Sequence, residues 1–409
     1  MVSSLIDTQE QTLPPVPPPA PGARPPARAH RWWSIPLAVL AAVVPVLVAT
    51  AAFLPAEIVA TKEVAGADVE TPYALVPASA QAVSDRISFG ELEGLATVDE
   101  SSAGDFFFVT ISEPAQSVLS HWVGTPEPAI EPLTREEKYG SATPAQQRSV
   151  SLQMMRTSEQ VAQYVALRAV GIGDAELVPG EVVVEQVLCL RGDERGRCTE
   201  WAPADEVLDP GDRLLEAEGE ALSTVDDLVE VLTDNQPGDR IELLIERAGE
   251  DAPRTVEVEL IDAPGEPGRT IVGFVPFDTT SVRLPFEMDI DTGRIGGPSA
   301  GLAFTLSLID ELSAGDLAGG RQVAVTGTIG LEGEVGAIGG LPQKVSAVRQ
   351  VGVEHFLVPA AQSEQSMERA REIAGDDVEL IAVADLDEAL AALEALGGDP
   401  IEPYAANTD

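Results

Sequence analysis

Hydrophobic positions along the chain change period three times. Residues 155–170, MRTSEQVAQYVALRAV, place Val161, Tyr164, Val165 and Leu167 at helical spacing, with Ser158 as N-cap and Gly171 and Gly173 as the stop. From 180 to 262 the spacing turns strand-like. A strand, EVVVEQVLCL, precedes a Pro-Gly turn into a second strand (208–222), a capped helix (223–235) and two more strands (237–249 and 254–261). From 270 onward strands and helices alternate. The strands TIVGFVPF and VRLPFEMDID lead to a helix from near Ser299 to Leu312, and then to the strand RQVAVTGTIG. The helix QKVSAVRQVG, the strand HFLVPA and the helix SEQSMERAREIAG follow, and a final strand and helix close the unit. That mixture predicts an α/β or α+β domain. Residues 57–150 show less order: DFFFVTIS (105–112) reads as a strand, AQSVLSHWVG (115–124) as a short helix, and 124–134 as a proline-broken connection.

The chain opens differently. Residues 13–28, LPPVPPPAPGARPPAR, are too proline-rich for helix or sheet. Residues 32–56 carry no charge, and a bilayer crossing needs about 20 apolar residues. Arg24, Arg28 and Arg31 precede this run and Trp32 and Trp33 begin it, so the basic flank is expected to stay cytoplasmic and the remainder to lie outside. A cleaved signal peptide, with Ala49-Thr50-Ala51 as its site, is the rival. The expected organisation is a proline-rich tail (1–31), a single membrane helix (32–56), an extracytoplasmic region (57–154), a β-rich domain with its preceding helix (155–265), an α/β domain (270–396) and a tail (397–409).

Charge narrows the partners. Sixty-eight acidic residues against 25 basic leave a formal charge of −43, which repels phosphate backbones, so nucleic acid is not an expected partner. Only Lys62, Lys138 and Lys344 are lysine. Cys189 and Cys198 flank LRGDERGR with no second ligand pair for zinc, and no metal site is expected. An exported chain would join them in a disulfide worth about 2–3 kcal/mol; two reduced thiols are the alternative.

The chemistry centres on GGPSAG, residues 296–301. Ser299 reads either as a nucleophile or as a helix cap. Gly296 and Gly297 let a substrate backbone approach, and a helix start beside Ser299 would stabilise an oxyanion. His355 is the only downstream histidine, and it directly precedes a strand-like run. Lys344, in the first turn of a helix begun by Pro342, has apolar and small neighbours. Burial and the helix dipole would both lower its pKa and make a neutral amine available as a base. Ser299 and Lys344 thus form a candidate dyad that needs no histidine.

Two resemblances add to this reading. The order LDPGDRLLEAEGEAL, STVDDLVEVL, PGDRIELLIERAG resembles a PDZ domain of exported proteases. It implies a peptide groove, with Gly180, Glu181, Val182 and Val183 as the expected carboxylate-binding loop. GGPSAG, VTGTIGLEGEVGAIGGLPQK (325–344) and HFLVPAAQ (355–362) together resemble the proteolytic domain of Lon-type serine proteases. By that likeness Ser299 is the nucleophile, Lys344 the base, and Thr326 the hydroxyl that helps hold the lysine. No Gly-Lys dipeptide occurs, so there is no P-loop. The order of anchor, PDZ-like domain and Lon-like domain resembles bacterial membrane-anchored Lon-like proteases. The implied fold is a multidomain α+β chain with an N-terminal transmembrane helix. The implied protein works without ATP or another cofactor, cuts unfolded or flexible polypeptides, and forms a hexamer by analogy. A PDZ scaffold that no longer cuts and an esterase pairing Ser299 with His355 are the competing readings.

Overall fold

The structure is a computed structural model that describes residues 34–64, 66–90, 103–173, 175–192 and 198–401, with side chains from Val39 onward. The proline-rich tail, His30, the three arginines, Trp32 and Trp33, residues 193–197 of the cysteine loop and the tail beyond 401 lie outside the described residues. In chain order the elements used below are α1 (Ser34–Phe53), β1 (Tyr73–Ala82), β2 (Asp105–Ser112), α2 (Val118–Gly124), β3 (Glu131–Leu133) and α3 (Pro144–Ala169). Next come β4 (Val182–Val187), β5 (Arg213–Ala217), α4 (Val225–Thr233), β6 (Arg240–Glu246), β7 (Arg254–Glu259) and β8 (Phe274–Asp278). The last group is α5 (Gly301–Leu312), β9 (Gln322–Val325), α6 (Leu341–Val351), β10 (His355–Pro359), α7 (Glu364–Ala374), β11 (Glu379–Val383) and α8 (Leu386–Ala395).

Residues 1–50 and 51–409 form separate units. In the first, α1 is a 20-residue uncharged helix that carries Pro45. Among the described residues no helix is long and apolar enough to cross a membrane.

Among the described residues the larger unit contains two six-stranded sheets, besides several two-stranded ribbons. One runs β11-β10-β9-β2-β1-β3, with β2, β9, β10 and β11 parallel and β1 and β3 antiparallel to their neighbours. Alternate side chains feed two cores, as the strand period of two requires. Phe106, Phe108, Val323, Val325 and Leu357 point into the layer holding α3, α5 and α8. Val109, Ala324, Phe356 and Val358 point into the layer holding α6 and α7. The other sheet runs β7-β6-β5-β4-β8, wholly antiparallel, over its own core with α4.

Three expected boundaries are corrected. Residues 57–154 do not form a region of their own, because β1, β2 and β3 complete the sheet of the C-terminal domain. The helix expected over 155–170 begins at Pro144, with Thr143 and Gln146 in a reciprocal capping box and proline in the first turn. It packs along α5, so it belongs to the α/β domain and not to the β-rich one, and Ser158 is a buried mid-helix residue instead of its cap. Finally, β8 pairs with β4, so the β-rich domain extends past 265 to Asp278. That domain is inserted between α3 and α5.

Candidate active site

The loop carrying Ser299 is held from three sides. Gly297, at φ +88°, donates its N–H to the Ser151 carbonyl at 2.8 Å. The Ser158 hydroxyl donates to the Pro298 carbonyl at 3.1 Å, and the Gly301 N–H reaches the same oxygen at 3.2 Å. The Ser299 carbonyl accepts from the Gly327 N–H and the Thr326 hydroxyl, each at 3.0 Å. Two glycines are required by space. A Cβ on Gly296 would stand 2.8 Å from the Ser151 Cβ, and one on Gly301 would stand 2.9 Å from Ile329 Cγ2. Ala300, not Ser299, is the N-cap of α5, and no side chain caps it. The serine hydroxyl is therefore not consumed as a cap.

It faces a lysine instead. Gly340, in the left-handed conformation, and Pro342 start α6, and the Lys344 N–H bonds the Gly340 carbonyl at 3.0 Å. The Lys344 side chain runs inward and is 1% exposed. Its Nζ lies 2.7 Å from Ser299 Oγ and 3.0 Å from Thr326 Oγ1. Thr326 is fully buried; since it donates its hydrogen to the Ser299 carbonyl, its oxygen is left to accept from the amine. Among the described residues no carboxylate pairs with Lys344, and burial lowers its pKa to about 7. A charged ammonium without a counter-ion is costly at such a position, so the neutral amine is within reach near neutral pH. Ser299 itself is half-buried.

Two contributions escape the sequence reading. Ser158 and Ser151 both lie on α3, about 140 residues upstream, yet one holds the Pro298 carbonyl and the other takes the Gly297 N–H. No local pattern announces such a contact; the only signal is a polar residue on the apolar face of a helix.

The remaining expected residues lie elsewhere. His355 sits on β10 with Nδ1 3.3 Å from Glu379, and Ser299 is not its partner. Cys189 and Cys198 are joined to each other. The expected carboxylate-binding loop is corrected. Val182 and Val183 pair with Leu214 and Arg213 on one side and with Asp278 and Phe277 on the other, so that strand has no free edge. Glu181 is engaged by Arg213, and a Cβ on Gly180 would collide with the Thr279 backbone at 2.3 Å. The sheet ends in β7 on one side and in β8 on the other, and β8, which carries Pro276 as edge strands tolerate, is the end strand beside α4. Beside it a cavity of about 550 Å³ lies between β8, α4 and the segment 263–272, with Leu228, Val229, Leu232 and Phe274 on its apolar side and Glu266 and Arg269 on the third wall.

Comparison with known proteins agrees with this placement. Residues 291–395 match the Lon protease (S16) C-terminal proteolytic domain. The Lon protease of Citrifermentans bemidjiense is 34% identical over 134 residues, which is 32% of this chain and 16% of that one. That of Vibrio parahaemolyticus is 38% identical over 104 residues, 25% of this chain and 13% of that one. The chain thus spans under one-fifth of the length of these relatives. Among solved structures, the PDZ domain of an SdrC-like protein from Listeria monocytogenes is 19% identical and covers 24% of this chain and 88% of its own, with a TM-score of 0.19. A superposition that slight carries no argument. The chain is a mixed α+β protein in which residues 291–395 are similar to the Lon protease (S16) C-terminal proteolytic domain.

Proposed function

With a Lon-type proteolytic domain as the premise, we propose that the chain is a serine endopeptidase that works without ATP and uses Ser299 and Lys344 as a dyad. The observation that carries this reading is a lysine 1% exposed, with no carboxylate partner among the described residues, whose Nζ stands 2.7 Å from a serine hydroxyl. The neutral amine takes the proton as Ser299 Oγ attacks the scissile carbonyl. The ammonium so formed then protonates the leaving amine, and an acyl-enzyme remains. Water, deprotonated by the regenerated amine, releases the peptide acid. Gly301 and Leu302 spend their N–H groups on Pro298 and Gly327, which leaves the N–H groups of Ser299 and Ala300 outside those bonds at the start of α5. These are the donors we assign to the oxyanion. Thr326 orients the amine by accepting from it.

The finer parts of the proposal rest on other features. The lack of any Gly-Lys dipeptide supports ATP independence. The uncharged run of residues 32–56, which extends beyond the described part of α1, supports a membrane anchor with the bulk of the chain outside. The cavity beside the end strand β8 supports strand addition by a peptide that the PDZ-like domain presents or gates. Substrates are then unfolded or flexible extracytoplasmic polypeptides, and a ring of copies is expected by likeness alone. The test is hydrolysis of unfolded casein by the full chain. Ser299→Ala and Lys344→Met should each lower turnover by about 10³-fold or more, with the circular dichroism spectrum kept. Turnover undiminished in either variant overturns the dyad.

A further inference from the structure

The segment that follows α1 carries an exposed apolar patch that the proposed chemistry does not use. Phe53 is 88% exposed, Ile58 67%, Trp122 80% and Val123 69%, and Leu54 and Val59 are exposed beside them in the chain. Residues 54–60 come directly after α1, which ends at Phe53, whereas Trp122 and Val123 arrive on α2 from some 65 residues further along. Backbone bonds fix the two segments together. The Val118 N–H donates to the Leu54 carbonyl at 2.9 Å and the Ala56 N–H to the Gln116 carbonyl at 2.9 Å, and Pro55 and Ser117 form an antiparallel bridge. Gln116 Nε2 then donates to the Tyr73 carbonyl at 2.7 Å, which ties this junction to β1 and the central sheet. A capping box between Ser117 and Ser120 holds α2 as a helix, and Ala56 is buried beneath the patch. The apolar side chains are therefore displayed by rigid backbone.

We infer that Trp122 and Val123, with Phe53, Leu54, Ile58 and Val59, rest in the interfacial layer of the bilayer that α1 enters, so that the proteolytic domain is seated against the membrane surface and not merely tethered near it. The inference rests on the anchoring reading of α1. Continuity decides the occupant: the patch begins on the last residue of α1 and extends only six residues past it before α2 adds to it. An indole exposed beside aliphatic side chains is the composition favoured at the level of lipid headgroups. Charge decides the lipid. Residues 51–60 contain Glu57 and no basic residue, α2 contains no lysine or arginine, and the chain carries −43 overall. An anionic leaflet would repel this body, so the contact is with zwitterionic phospholipid through apolar burial.

The experiment uses the full chain and a Trp122→Phe variant, each reconstituted into phosphatidylcholine vesicles with plain or brominated acyl chains. The difference between the two proteins isolates one of the four tryptophans. Apolar faces of interfacial helices lie about 5–10 Å into the headgroup–acyl boundary, so the Trp122 emission should be blue-shifted and fall about twofold in brominated lipid. An emission at the wavelength of water-exposed indole, unchanged by bromine while the chain floats with the vesicles, overturns the inference and leaves the anchor standing. A blue-shifted emission that bromine does not quench assigns the patch to a protein partner, such as a second copy, and also overturns it. A chain that fails to float with the vesicles overturns the anchor and this inference together.

Discussion

Replacing Lys344 with methionine should make the folded protein more stable, by an amount that depends on pH in a calculable way. The side chain is buried without a counter-charge, and burial lowers its pKa from the ordinary 10.5 to about 7. The unfolded chain therefore holds this proton more tightly than the folded one, and stability rises with pH between the two values. Below pH 7 the lysine is charged in both states and its whole penalty is present, about 5 kcal/mol at 1.36 kcal/mol per unit. Above pH 10.5 it is neutral in both states and the penalty is gone. Between pH 6 and pH 9 the wild type should gain about 2.5 kcal/mol relative to Lys344→Met, which has nothing to titrate there. The assay is urea denaturation of both proteins at pH 6, 7.5 and 9, followed by far-ultraviolet circular dichroism. Taking the difference between the two cancels every other titrating group. The stabilising effect of methionine should be largest at pH 6 and shrink steadily towards pH 9. A difference that stays constant across this range would refute the reasoning, because it would mean that the lysine titrates alike in the folded and unfolded chain.

Thr326→Val removes the hydroxyl that bridges Lys344 and the Ser299 carbonyl while keeping its shape. Casein turnover should fall about tenfold or more through kcat, since one positioning hydrogen bond to a charged group is worth about 1.5–3 kcal/mol. Unchanged kcat would remove the threonine from the mechanism. Ser158→Ala deprives the half-buried Pro298 carbonyl of one donor and should cost about 1 kcal/mol of stability together with a several-fold loss of kcat. The melting temperature and kcat should fall together; a loss of stability with kcat intact would make Ser158 structural only.

The site was more legible in the sequence than its surroundings. Ser299 and Lys344 lie in short motifs whose glycines and prolines mark the turns that present them, so local chemistry was enough to single them out, whereas Thr326 was reached only through the likeness to Lon-type proteases. What local pattern could not supply was pairing across the chain. β1 carries Pro77 and a run of small residues, YALVPASAQA, and shows no clean alternation, although it lies beside β2 in the central sheet. The first turns of α3, PAQQRSVSLQ, are polar and almost without an apolar stripe, so the helical period becomes visible only near residue 155. The groove was misplaced for a related reason. The starts of β4 and β8 are both apolar, and composition does not tell a strand paired on both sides from one at the edge. Ser158 has the chemistry of a cap, and only the fold reveals that its hydroxyl serves another segment.

Labelling of Ser299 by a serine-directed fluorophosphonate, followed against pH on the full chain, needs no known substrate and reports the nucleophile itself. If Lys344 is the base, the labelling rate should rise about tenfold per unit below pH 7 and level off above it, as the buried amine loses its proton. Modification should map to Ser299 alone and be lost in Lys344→Met. A rate independent of pH, or labelling of equal speed in the methionine variant, would contradict the dyad.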